Sequence, residues 1–151
     1  MNTLRIYIDT SVVGGCFDKD YSDASRGIFR MAKQGIAILI ISPILQDELI
    51  NAPGEVKNVL MDMPVSCMEP VLLTDEVIEL SQAYLDDDVV GPKHRNDTLH
   101  VAMATVARAD VIVSWNFKHI VHMEKIRGFN AVNLKQGYLP IEIRSPLEVV
   151  T

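Results

Sequence analysis

A chain of 151 residues suits one domain and is long enough to bury a core. Its 48% hydrophobic and 23% charged residues exclude a disordered polymer, and no apolar run approaches the roughly 20 residues needed to span a bilayer. A formal net charge of −6 argues against holding nucleic acid by a broad basic surface. It leaves room for an acidic site that meets phosphate through a bound cation.

Met1 to Asp9 lacks the charged-then-apolar layout of a secretion signal. Cys16 and Cys67 have no CxxC spacing and read as small buried thiols in a reducing compartment. Both features point to the cytoplasm.

The β-branched and aromatic run Leu4-Arg5-Ile6-Tyr7-Ile8 reads as a strand ending at Asp9. Ser22 or Asp23 caps a helix through about Lys33, closed by Gly35. Ile36 to Ile41 is a continuous apolar run, the pattern of a strand buried on both faces. Ser42-Pro43 opens a helix that carries Leu45, Glu48 and Leu49 and stops near Pro53. Gly54 to Met63 predicts a short helix, and Val65 to Leu73 a weak strand interrupted by Pro70. Thr74-Asp75-Glu76-Val77 starts the next helix, which ends at Asp86-Asp87-Asp88. Asn96 or Asp97 caps a helix rich in alanine, and Val111 to Trp115 follows as a strand. Asn116 to His119 leads into a helix to about Arg127, Ala131 to Leu134 predicts a last core strand, and Ile141-Glu142-Ile143 an edge strand.

Strands alternating with helices predict a single three-layer α/β/α domain over residues 1–151 with a mostly parallel central sheet. Ligands gather at the C-terminal ends of such strands. Polar residues fall there: Asp9-Thr10-Ser11 after the first strand and Ser114-Trp115-Asn116 after the late one, with Glu48 and Asp97 on neighbouring helices. Carboxylates drawn to one edge repel one another, so a cation is their natural partner, and Mg²⁺ or Mn²⁺ suits oxygen ligands. Phosphodiester hydrolysis is the reaction such an ion serves best.

Four segments in order carry a resemblance: Tyr7-Ile8-Asp9-Thr10-Ser11; Ser42-Pro43-Ile44-Leu45-Gln46-Asp47-Glu48-Leu49; Asp97-Thr98-Leu99-His100-Val101-Ala102-Met103-Ala104; and Ala109 through His119. Together they resemble the PIN domain family, including its VapC-like toxin ribonucleases, over about residues 6–119, with residues 130–151 left for edge elements. The resemblance implies a Mg²⁺- or Mn²⁺-dependent endoribonuclease acting on single-stranded RNA. It also implies a toxin role, a small antitoxin protein as partner, and self-association. Asp9, Glu48 and Asp97 match the family's first three acidic positions and Asn116 the fourth, as catalytic and metal-holding residues. Asn116 departs from the pattern, because an amide offers a carbonyl oxygen but no charge. The resemblance also assigns Thr10, Ser11 and Ser114 to orienting the acids.

Lys93, Arg95 and Lys118 are candidate phosphate contacts. Trp115 reads as core, with base stacking as the sharper alternative. His119 and His122, three apart, read as a surface helix face, and His100, one turn after Asp97, as a packed histidine near the site. Two rivals remain. One is a PIN-like binding module whose site has weakened at Asn116. The other is a phosphoryl-transfer enzyme with Asp9 as nucleophile, disfavoured because Ser11 stands where a second aspartate would be expected.

Overall fold

Strand β1 (Leu4–Ile8) lies at the centre of the sheet in the computed structural model, which describes residues 3–151. Met1 and Asn2, where the N-terminal reading began, lie outside the described residues. After β1 come α1 (Thr10–Gly15), α2 (Ser22–Lys33), β2 (Ala37–Ile41), α3 (Pro43–Leu49), α4 (Gly54–Met61) and β3 (Met68–Pro70). The second half contains α5 (Asp75–Asp86), α6 (Arg95–Val106), β4 (Val111–Val113), α7 (Met123–Lys135), β5 (Ile143–Arg144) and α8 (Pro146–Val149).

The strand order is β3-β2-β1-β4-β5, and every pairing is parallel. β1 pairs on one side with β2, Ile6 beside Leu39, and on the other with β4, Ile6 beside Val111. The chain thus builds outward from β1 in one direction, then returns to build in the other. In open parallel sheets such a reversal, here between β1 and β4, is the place beyond the strand C-termini where ligands settle.

Side-chain alternation assigns the two faces. Ile6, Ile8, Leu39, Ile41, Val111 and Val113 pack in one cluster with α1, α2 and α4, while Tyr7, Ile40 and Ile112 pack with α5, α6 and α7. Burying each large apolar side chain contributes about 1.5–3 kcal/mol, which is why β2 and β4 read as unbroken apolar runs. On the second face a buried polar set fixes the helices to one another: Tyr84 donates to Asn133 Oδ1 at 2.5 Å, and Ser81 meets Thr98 at 2.9 Å.

The Ser42–Pro43 start holds, with Ser42 Oγ accepting from Leu45 N at 3.1 Å. Thr74 caps α5 in the same way. Gly35 has φ +77°, the left-handed conformation that favours glycine after a helix.

Several boundaries differ from the sequence expectation; α2 already starts at Ser22, after Tyr21, and the edge strand is Ile143–Arg144. The weak strand of Val65 to Leu73 reduces to an edge strand, Met68–Pro70, after a 3₁₀ turn at Val65–Cys67, the position where a strand tolerates proline. Helix α6 begins at Arg95 out of a second 3₁₀ turn, Pro92–His94, so Asp97 is its third residue and not its cap. Residues 116–122 form a loop, because the Asn116 backbone carbonyl accepts from the N–H groups of both Ile120 and Val121. The helix therefore starts only at Met123, and Ala131 to Leu134 lies inside it instead of forming a strand. Phe129 and Val132, three apart and both buried, set its inner face.

Candidate acidic site

Asp9 ends β1 in extended backbone and is buried at 4% exposure. Ser11 Oγ donates to its Oδ1 at 2.6 Å and Ser114 Oγ to its Oδ2 at 2.5 Å. Both hydroxyls also accept from backbone N–H groups, Ser11 from Trp115 at 2.8 Å and Ser114 from Asn116 at 2.9 Å. The turns after β1 and β4 are thereby laced together around one carboxylate. Burial raises the Asp9 pKa, against the opposing pull of His100 and the two serine hydroxyls.

Glu48 comes from α3 and reaches the site through a chain of contacts. Tyr7 Oη, on β1, donates to Ser42 Oγ at 2.8 Å and lies 2.7 Å from His100 Nδ1. His100 Nε2 lies 2.6 Å from Glu48 Oε1, which also accepts from Thr10 Oγ1 at 2.7 Å. With the Tyr7 proton given to Ser42, the phenol oxygen is free to accept from Nδ1, and the contact between Nε2 and Glu48 completes the chain. Burial pushes the Glu48 carboxyl up, but His100, Thr10 and Asn96 together hold it below its ordinary value.

Asp97, in the first turn of α6, is half-buried. Asn116 Nδ2 donates to its Oδ1 at 3.2 Å, and His94 Nδ1 lies 3.6 Å from its Oδ2. Burial raises the Asp97 pKa; His119, His100 and His94 oppose the rise and the charge of Asp9 adds to it.

The fold thus carries Asp9, Glu48, Asp97 and Asn116, with Thr10, Ser11 and Ser114, to the crevice at the reversal point. The four do not make one tight ligand shell. Among the described residues, the only group of three His, Cys, Asp or Glu whose ligand atoms all lie within 4.8 Å of one another is His94, Asp97 and His119. Asn116 uses both ends of its amide: Oδ1 accepts from His119 N at 2.9 Å while Nδ2 faces Asp97. The carbonyl that would face a cation is engaged in closing the loop.

Lys93, Arg95 and Lys118 are exposed, and Arg95 donates to Gln82 at 3.2 Å. Trp115 is buried, stacks on Tyr21 at 4.1 Å and donates to Ser25 Oγ, so it serves packing and not base stacking. Asp47 and Asp86 to Asp88 are exposed. Cys16 and Cys67 are free and buried. His119 and His122 do not share a helix face; His122 precedes α7, while His119 stacks on His94 with ring centroids 3.6 Å apart. Sequence reasoning missed His94. Its spacing of three before Asp97 was the available signal, masked by the basic neighbours Lys93 and Arg95.

Among the described residues no helix is long and apolar enough to cross a membrane. No protein-family model matches the chain, and no curated protein matches it in sequence. Its structure is similar to a chain in the crystal structure of VapBC2 from Rickettsia felis bound to a DNA fragment from their promoter. The TM-score is 0.56 at 15% identity, covering 94% of this chain and 98% of that one. At that identity the likeness is one of fold, and the fold is the PIN-like three-layer α/β/α architecture.

Proposed function

We propose that this chain is a divalent-metal-dependent endoribonuclease that hydrolyses phosphodiester bonds of single-stranded RNA, with Asp9, Glu48 and Asp97 as its acidic set. The observation that carries the reading is the convergence of three carboxylates from three separate elements on the crevice between β1 and β4. Two of them, Asp9 and Asp97, are held above their ordinary pKa by burial, so each would gain from a nearby cation.

The donor chemistry fits Mg²⁺ or Mn²⁺. All three acids offer hard oxygens, and their wider spread suits an ion that keeps several waters and takes only one or two carboxylates directly. When bound, such an ion supplies positive charge to the phosphoryl oxygens and makes a water more acidic. The chain's own residues hold the geometry. Ser11 and Ser114 fix the Asp9 carboxylate, Thr10 and His100 fix Glu48, and Asn116 fixes Asp97. Lys93, Arg95 and Lys118, near Asp97 and Asn116 in sequence and exposed, supply phosphate contacts at the rim.

The likeness to VapBC2 extends the reading to a toxin paired with a small antitoxin protein, acting in the cytoplasm and self-associating. An apolar groove among α3, α4 and β3, where Ile50, Met61 and Val65 are exposed, offers such a partner an apolar surface.

The test is purified protein with mixed single-stranded RNA in Mg²⁺, in Mn²⁺ and in chelator, beside Asp9→Asn. Cleavage that requires both metal and Asp9 is expected. One observation favours a second reading: Glu48 is already paired by His100 and the Asn116 carbonyl is already engaged. A folded protein that cleaves nothing in either metal would make this a PIN-like protein-binding module.

A further inference from the structure

Beside the proposed acidic set lies a chemically different group of side chains that shares Asp97 with it. His94 leaves the 3₁₀ turn before α6, Asp97 sits one helical turn later, and His119 arrives from the loop after β4. One ligand atom from each lies within 4.8 Å of the others. The two imidazoles stack with centroids 3.6 Å apart and planes 26° from parallel. Local spacing brings His94 and Asp97 together, and the loop of residues 116–122 folds back to bring His119 over His94.

We infer that His94, Asp97 and His119 form a binding site for a borderline transition-metal ion of the Zn²⁺ class. Two nitrogens and one carboxylate oxygen select such ions over Mg²⁺, which prefers oxygen alone. Ligands about 2.1 Å from a tetrahedral ion lie roughly 3.4 Å from one another. The His94 Nδ1 to Asp97 Oδ2 separation of 3.6 Å is already close to that spacing. His94 and His119 are only partly buried, so their rings have room to close the rest of the distance. Three protein ligands with a fourth position open is the layout of a reactive zinc centre, whereas structural sites supply four ligands.

Asn116 is the positioning residue of this site. Its Oδ1 holds the His119 backbone N–H at 2.9 Å, and its Nδ2 holds Asp97 Oδ1 at 3.2 Å, leaving Oδ2 turned toward His94. An outer group that orients a ligand in this way is a regular companion of metal centres. It gives the amide at this position a task that a carboxylate would perform badly, since a carboxylate has no hydrogen to offer Asp97.

The inference stands apart from RNA cleavage, because ion binding is read directly. The full chain is titrated with Zn²⁺ against a chromophoric chelator, and with Co²⁺ while its visible d–d bands are recorded. His94→Ala, His119→Ala and Asp9→Asn are compared, each checked for folding by circular dichroism. One ion per chain and Co²⁺ bands typical of four-coordination are expected. Each histidine variant should bind at least about tenfold more weakly, the least that outer groups alone are known to cost. Asp9→Asn should keep the site, whatever becomes of nuclease activity. Absence of binding by the folded wild type would overturn the inference. So would histidine variants that bind as the wild type does, or loss of binding in Asp9→Asn alone, which would place the ion among the carboxylates.

Discussion

His100 Nε2 lies 2.6 Å from Glu48 Oε1, so one acid of the proposed nuclease site has a side-chain partner supplied by the fold itself. The histidine is nearly buried, and its other nitrogen is tied to Tyr7 in the centre of the sheet. The pair joins α3, α6 and β1 at the edge where Asp9 begins α1.

Replacing His100 should therefore loosen both the site and the fold. His100→Gln is expected to destabilise the protein by about 1–3 kcal/mol, because the half-buried Glu48 carboxylate and the buried Tyr7 hydroxyl lose the ring that joins them. Urea unfolding at neutral pH measures the change. An unaltered midpoint would show that the pair contributes nothing to stability.

The three acids predict opposite responses to pH. Glu48 is held below its ordinary value, so its stabilisation is present above the unfolded carboxylate pKa, about 4.3, and fades as pH falls through its folded value. Asp9 and Asp97 are raised, so they cost nothing below the unfolded value, about 3.9, and oppose folding as pH rises through their folded values. In metal-free buffer, Asp9→Asn should be at least as stable as the wild type at pH 7, while RNA cleavage falls by about a hundredfold or more. Thermal unfolding beside a cleavage assay separates the two effects. A variant that merely unfolds would show both losses together.

Asn116→Asp restores a fourth carboxylate and removes the hydrogen that the amide offers Asp97. Metal-free stability should fall by about 1 kcal/mol or more, from the lost bond and the new repulsion. Mg²⁺ should bind more tightly, since the added charge favours a hard cation. Calorimetric titration with Mg²⁺, together with unfolding curves in chelator, reads both. Unchanged Mg²⁺ affinity would mean that this side chain faces the loop and not the ion.

Gly15 ends α1 against the Trp115 layer. A Cβ there would meet Ser25 Oγ at 2.5 Å and Trp115 Nε1 at 2.7 Å, the two atoms that hydrogen-bond each other. Gly15→Ala should cost about 1–3 kcal/mol through overpacking and should shift the fluorescence of the single tryptophan. A variant with wild-type emission and stability would show that this corner yields without strain.

Much of the fold was legible in short stretches. The apolar runs at Ile6, Leu39 and Val111 specify buried parallel strands because such strands have no polar face to reveal. Ser42-Pro43 and Thr74 mark helix starts through local backbone chemistry, which needs no partner elsewhere. Ala131 to Leu134 misread as a strand because four residues are too few to separate a period of 2 from 3.6; the buried Phe129, outside that window, settles it.

The site divides in the same way. Asp9, Glu48 and Asp97 could be named from the sequence because the segments that hold them resemble, in order, those of the PIN domain family. Their bonding could not. The His100–Glu48 pair spans 52 residues, Ser114–Asp9 spans 105, and His94 meets His119 only once the loop after β4 folds over the start of α6. The sequence by itself determined the layers, the central strands β1, β2 and β4 and, through the family resemblance, the acids near them, since the strands depend on hydrophobic periodicity and neighbouring backbone groups. Only the tertiary structure decided which acid is paired with a histidine, which is strained by burial, and that Asn116 holds a histidine and an aspartate together, because those outcomes depend on distances between segments that no local pattern encodes.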